Sequence, residues 1–415
     1  MKRVLLIAYY FPPLGGAGVT RPLALFRHLP ELGYECHVLT VKPVAYRSFE
    51  PDLLEGMPQE RIYRSGSFDP QRLMYLLGVR TVLSRTISRT KTIADRYFPD
   101  PKIGWVRRAV ALGRTLLANR DYDAIISSSP PISVHLAARK LSMEFKRPWI
   151  ADFRDFWGIQ PPERVFADHP SRLRRAKKLL EAIQAEATDV TAVNPTVGGY
   201  VKAKHVIYNC YDDELAREWR IPTESRFVIG VLGALNDTTP IAPLLRVLDH
   251  LRRERPDLYR EVVVRQVGEV DSDWLNEQLE EYRMRDRFEL YGWQTRRNTV
   301  SLLSESSVMY LGVGSEFDRG LSTGRVYMML SSGRPVLAYA PPDSELRQLI
   351  ETTGGGFVFY GPVIDPAVSH LAGLIQAYSR GQLGVMPRPA YAQPYGSRRM
   401  AEQFTAILDR YEAPA

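Results

Sequence analysis

MKRVLLIAYYFPPLGGAGVTRP, residues 1–22, decides the architecture. An apolar run over residues 4–10 breaks at Pro12 and Pro13, and Gly15, Gly16 and Gly18 then lead into an amphipathic segment from Thr20. A short apolar run bounded by turn residues reads as a buried strand, and the helical periodicity behind it as a helix. The opening imitates a secretory leader, but no small-residue cleavage site follows the prolines, so a first strand is the reading. Glycines at a strand-to-helix turn permit positive φ and close backbone approach, and a helix N-terminus behind them favours an anion. Gly15 and Gly16 are therefore candidate phosphate-binding residues. The spacing lacks the third glycine of the dinucleotide fingerprint, and a plain tight turn is the competing reading.

The same alternation continues along the chain. Strands are expected over 35–41, 124–127 and 149–152, and again over 227–232, 261–266, 288–291, 308–312, 335–340 and 356–359. Helices fit between them, for example over 20–32, 133–145 and 239–254. Alternating strands and helices predict parallel sheets covered on both faces. The polar stretch 219–226, with Pro222, precedes a fresh strand, so the expectation is two α/β, doubly wound, Rossmann-like domains over 1–218 and 225–392. Ligands of such domains sit at the carboxyl ends of the strands, and a cleft between two domains is the default site.

Composition narrows the class. The 415 residues are 45% hydrophobic and 25% charged, which excludes disordered and fibrous chains. Two cysteines, Cys36 and Cys210, exclude a disulfide framework and a cysteine-based zinc cluster. Seven scattered histidines with no ligand spacing predict no metal, and no bound cofactor is expected. No stretch approaches the ~20 apolar residues of a membrane span, so a soluble protein is expected, and the two cysteines make a reducing cytoplasm the simpler home. Net charge is +8, unevenly spread. Residues 80–120 hold ten Arg or Lys (80, 85, 89, 91, 96, 102, 107, 108, 114 and 120) against Asp95 and Asp100. A second cluster is Arg172, Arg174, Arg175, Lys177 and Lys178, on a segment with Leu173, Ala176, Leu180 and Ile183 along one side. That pattern suits a helix on an anionic membrane, and equally a surface helix packed on a core.

Three further segments carry chemistry: YFPDPKIGW (97–105), SSSPPISVH (127–135) and PWIADFRDFWG (148–158). The last sets Asp152, Arg154 and Asp155 directly after a buried strand, where α/β domains place their chemistry. Such an array can hold sugar hydroxyls while the arginine answers a phosphate. An internal salt-bridge network is the alternative. His135, on an amphipathic segment, reads as a packed residue.

With these motifs the chain resembles glycosyltransferase family 4, retaining enzymes of the GT-B fold, and in particular a bacterial branch carrying YFPPLGGAG, FPD…GW, SPP before a His, and DFRD-x-W. The segments 290–313 and 324–350 are similar to that family's donor domain. The resemblance implies a nucleotide-sugar donor in the cleft, an unidentified acceptor, no nucleic-acid partner, and a terminal helix, 393–415, packing back on the first domain. It also implies charged donor-binding positions that this chain lacks: Ala234 stands for an Arg, Thr238 or Thr239 for a Lys, and Met328 and Gly320 for two Glu. Candidate substitutes are Arg265, Arg296, Arg297, Arg319 and above all Arg325, assisted by Ser322 and Thr323 at a helix start. Ser128 stands near the family's usual His beside the reacting sugar. Gly233, Met328, Trp293 and Tyr291 complete the expected nucleotide and sugar site. The lost charges leave two alternatives open: a pseudo-glycosyltransferase acting on an unusual activated donor, or a degenerate subunit binding a membrane or another transferase.

Overall fold

The computed structural model describes residues 1–43, 49–70, 72, 76, 97–158, 160–236, 239–314, 320 and 323–411. The chain forms two compact units: Met1–Asn209 together with the stretch from Ser397, and Cys210–Gly396. The division falls before the 219–226 stretch marked in the sequence. Tyr211 N–H donates to the Tyr395 carbonyl (3.0 Å), and Trp219 lies 5.1 Å from the Arg334 guanidinium and donates to Ser331, all within the second unit.

In the first unit, β1 (Lys2–Ile7), β2 (Tyr34–Val41), β3 (Ile62–Ser65), β4 (Ala124–Ser129), β5 (Trp149–Phe153), β6 (Asp189–Ala192) and β7 (His205–Val206) form one parallel sheet in the order β3-β2-β1-β4-β5-β6-β7. Val4, Leu5, Leu6 and Ile7 are fully buried, as expected of a parallel strand covered on both faces. The covering helices used below are α1 (Thr20–His28), α2 (Ile103–Asn119), α3 (Ser133–Phe145) and α4 (Pro170–Glu186). The expected first helix ends early: Pro30 opens a separate 3-10 turn, closed by Gly33 at φ 92°. α2 and α3 pack closely because residue 113 is glycine; a Cβ there would stand 2.4 Å from Leu141 Cδ1. Strand order reverses between β1 and β4. The carboxyl ends of these two strands define the ligand crevice of a doubly wound sheet.

The second unit repeats the plan. β8 (Phe227–Leu232), β9 (Val262–Val267), β10 (Phe288–Leu290), β11 (Val308–Gly312), β12 (Val336–Tyr339) and β13 (Gly356–Phe359) lie parallel in the order β10-β9-β8-β11-β12-β13. The helices used below are α5 (Ala242–Glu254), α6 (Arg296–Leu303) and α7 (Gly324–Ser331). The core is aliphatic, with Ile229, Leu244, Leu248 and Val264 at zero exposure. Here the order reverses between β8 and β11.

The chain then returns to the first unit. α8 (Ser397–Leu408) buries Met400, Ala401 and Phe404 and packs on α1. Tyr34 donates to Asp409 (2.5 Å) and Tyr411 to Asp189 (2.7 Å), fastening its far end.

Candidate functional site

Glycines shape the carboxyl edge of the second sheet. Gly233, directly after β8, has φ +88°, and a Cβ there would stand 2.7 Å from Arg325 Cδ. Gly268, after β9, has φ +149°, and its Cβ would meet the Gly233 carbonyl at 2.4 Å. No larger residue fits that crossing. Gln266 Nε2 donates to the Gly233 and Gly268 carbonyls (3.1 and 3.0 Å), and Gly268 N–H donates to the Gly292 carbonyl (2.8 Å). The loops after β8, β9 and β10 are thereby tied into one surface.

Arg325, in the first turn of α7, lies over this surface. Its Nη1 donates to the Leu232 and Ala234 carbonyls, both at 3.1 Å, and its Nε to Thr323 Oγ1 at 3.2 Å. No carboxylate among the described residues pairs with it, and burial lowers its pKa to about 10. Thr323 makes no side-chain cap on α7, so the partial positive charge of that helix end adds to the guanidinium. A half-buried cation held by neutral carbonyls at a helix start is arranged to receive an anion. On the loop after β10, tied to this surface through the Gly292 carbonyl, Tyr291 and Trp293 are 37% and 46% exposed.

The carboxyl edge of the first sheet is organised by two arginines. Arg21, on α1, grips Asp152 bidentately, Nε to Oδ2 at 2.9 Å and Nη2 to Oδ1 at 2.7 Å. Asp152 also accepts from Ser128 (2.8 Å) and Thr191 (2.7 Å). Arg21 Nη1 reaches the Ile207 and Tyr208 carbonyls, and the Phe404 ring stands 5.2 Å away. Burial pushes the Asp152 carboxyl up, but Arg21 outweighs it and holds the group below the ordinary carboxylate range. Arg154 donates to the carbonyls of Ser129 (2.7 Å), Pro130 (3.1 Å) and Gly18, pinning the loop after β1 to the loop after β4. Asp155, the next residue, accepts no hydrogen bond from any described residue. Burial raises its pKa to about 7 despite the neighbouring Arg154 charge. Gly16 N–H is taken by Glu50 Oε1 at 3.1 Å.

No family model matches the chain, and no curated protein matches it. Solved structures do. Sucrose-phosphate synthase from Thermosynechococcus elongatus is similar over 99% of each chain with a TM-score of 0.65 at 15% identity. A glycosyltransferase from Rickettsia africae is similar over 99% of this chain and 98% of its own, with a TM-score of 0.64 at 10% identity. Anabaena HepE in complex with UDP-glucose is similar over 99% of this chain and all of its own, with a TM-score of 0.59 at 16% identity. The chain has the GT-B fold.

On this GT-B frame the expected site residues separate. Arg325, Thr323 and Gly233 are in direct contact, and Met328 lies half-buried on the same helix, its sulfur accepting from Ser331. Arg265 is not free for a ligand: Glu289 (2.8 Å) and Glu224 (3.5 Å) hold it within β9 and its neighbours. Asp152 and Ser128 are buried and mutually bonded, so the salt-bridge reading applies to them and they serve as scaffold. Arg154 is likewise occupied, and of that motif Asp155 alone is left with a carboxylate to offer. The Gly16 amide would have to exchange Glu50 for a phosphate, which argues against Gly15 and Gly16 as the phosphate loop. Ser322, Arg319, Thr238 and the basic positions 80, 85, 89, 91 and 96 lie outside the described residues.

Two other readings are resolved by packing. His135 is fully buried: Trp149 Nε1–H donates to Ser127 Oγ, whose hydroxyl pairs with His135 Nδ1, and the ring lies 4.4 Å from Phe153. On α4, Ala176, Leu180 and Ile183 are buried in the first core, so the helix packs on protein rather than inserting in lipid. No helix among the described residues is long and apolar enough to cross a membrane. Three organising residues escaped the sequence reading: Arg21, Gly268 and Asp100. Asp100 accepts from Ser133 N–H and Oγ–H, both at 2.8 Å, at the start of α3. Nothing in local spacing pairs any of them with its partner.

Proposed function

We propose that this chain is a glycosyltransferase that moves a sugar from a nucleotide-sugar donor to a hydroxyl acceptor with retention of configuration, in the manner of family 4. The observation that carries the reading is Arg325, a half-buried guanidinium with no carboxylate partner among the described residues, set over the glycine surface where the second sheet reverses its order. A nucleoside diphosphate supplies the missing negative charge. In transfer, the donor's C1–O bond to the diphosphate breaks, and a new C1–O bond to the acceptor forms on the same face. The acceptor's proton passes to the departing phosphate oxygen. The protein's task is then to stabilise the leaving diphosphate, which a fixed guanidinium and a helix N-terminus do. Trp293 and Tyr291 offer ring faces to the base. The reading places the protein in the cytoplasm. Exposed Arg174 and Lys178, with no ion-pair partner among the described residues, give α4 an electrostatic attraction to anionic lipid.

Anabaena HepE is described in complex with UDP-glucose, so uridine diphosphate heads the probe panel, with guanosine and adenosine diphosphates beside it. At ~100 times its Kd a ligand adds about 2.7 kcal/mol of stability, a readily measured thermal shift. Arg325→Gln weakens that binding by about 1.5–3 kcal/mol, the worth of a charged hydrogen bond. Silence across the panel, or parent-like affinity in Arg325→Gln, overturns the proposal.

A further inference from the structure

Gln266 is a polar side chain where the core pattern calls for an apolar one. On β9, Val262, Val264 and Gln266 share one face by the two-residue period of a strand, and both valines are fully buried in the second core. Gln266 is equally buried. Its orientation is forced. The Gly233 and Gly268 carbonyls, at 3.1 and 3.0 Å, only accept, so Nε2 faces them and Oε1 is left with no hydrogen-bond partner among the described residues. An aliphatic residue would avoid that orphaned oxygen, which carries the penalty of a desolvated polar atom. The Gln266 backbone carbonyl reaches a third loop, accepting from Tyr291 N–H at 3.0 Å. One residue thus holds the ends of β8, β9 and β10.

The side-chain amide completes a set. Arg325 Nη1 takes the Leu232 and Ala234 carbonyls, on either side of Gly233, and Gln266 takes the Gly233 carbonyl between them. A carbonyl oxygen turned toward an anion repels it, and here three successive ones are engaged by donors instead. The packing leaves little slack: a Cβ at Gly233 would stand 3.1 Å from Arg325 Nη1, and one at Gly268 would stand 2.6 Å from Gly233 Cα. A rotated Gly233 peptide would displace both backbone acceptors of Arg325.

We propose that Gln266 is a positioning residue of the donor site, fixing the Gly233 peptide and so the backbone on which Arg325 rests to receive a diphosphate. This deepens the nucleotide-sugar reading and rests on it for the ligand. Gln266 itself, fully buried, acts only through Arg325.

The test uses the full chain as parent, Gln266→Met, Arg325→Gln and the double variant. Calorimetry with uridine, guanosine and adenosine diphosphates measures affinity, and NMR of the arginine Nε–H groups follows the proteins without ligand. Methionine keeps an unbranched side chain of similar length and lacks the donor. Arg325→Gln binds the preferred diphosphate about tenfold or more weakly than the parent. Gln266→Met binds about fivefold more weakly, yet adds less than about twofold in the Arg325→Gln background, because both act through one guanidinium. The Arg325 Nε–H resonance, assigned by its absence in Arg325→Gln, shifts and exchanges faster in Gln266→Met. Parent-like affinity in Gln266→Met, an equal loss in both backgrounds, or an unmoved Arg325 resonance overturns the positioning role and leaves the nucleotide reading intact. A parent silent to all three diphosphates, or an Arg325→Gln variant with parent affinity, overturns the nucleotide reading and this inference together. Where Gln266→Met does not fold, Gln266→Asn, whose shorter amide is withdrawn from the two carbonyls, must give the same results.

Discussion

Asp152→Asn separates the scaffold role of the DFRD motif from a catalytic one. In the parent protein the carboxylate, at zero exposure, receives two hydrogen bonds from Arg21 and one each from Ser128 and Thr191. The amide removes the charge, turns an NH2 toward one of these donors and leaves Arg21, 2% exposed, without a counter-ion. Removing one partner of a buried ion pair costs about 3–5 kcal/mol. At about 2–4 °C per kcal/mol for a unit of this size, Tm falls by roughly 6–20 °C. Circular-dichroism melts and urea titrations measure it. The double variant Arg21→Met/Asp152→Asn recovers part of the loss, because the stranded guanidinium is gone. The sign of the pH dependence follows from the depressed carboxyl: its contribution is present above the unfolded carboxyl pKa and is lost as pH falls through the native one. The parent therefore loses more stability in acid than Asp152→Asn does. A variant within ~1 kcal/mol of the parent that nonetheless fails in sugar transfer refutes the scaffold assignment.

Two further outcomes follow from the geometry. Burial lowers the His135 pKa to about 3, so its contribution, present above about pH 6.5, falls as pH drops toward 3. Between pH 7 and pH 5 urea titrations show about 2 kcal/mol more loss in the parent than in His135→Gln, and equal slopes in the two proteins contradict the assignment. Gly233→Ala strains a residue at φ +88° by about 1–2 kcal/mol and pushes its Cβ into Arg325 Cδ, so nucleotide affinity measured by calorimetry falls about tenfold or more; unchanged affinity detaches Arg325 from the site.

The two-sheet plan was readable because buried parallel strands leave apolar runs punctuated by Gly and Pro. β3, β6 and β7 were not, being four, four and two residues long with no run to recognise. Arg325 could be singled out only through the family resemblance, and its packing against Gly233 depends on the chain meeting itself. Arg265 illustrates the converse. As a lone arginine on a strand it read as a candidate for the donor nucleotide and sugar site, and only the fold brings Glu289 and Glu224 onto it. Asp152 and Arg21 are 131 residues apart, and no spacing rule joins them, so a structural ion pair carried the look of a catalytic one.

The return of α8 to the first unit means that one unit interrupts the other. A ribosome delivers β1 to β7 first, then all of Cys210–Gly396, and only afterwards the helix whose Phe404 covers Arg21 and whose far end binds Tyr34 and Asp189. Until then α1 lacks its outer layer, with the Arg21–Asp152 pair directly beneath. The first unit to be synthesised is the last to be finished, and its exposed α1 face during that interval is where a chaperone would bind the nascent chain.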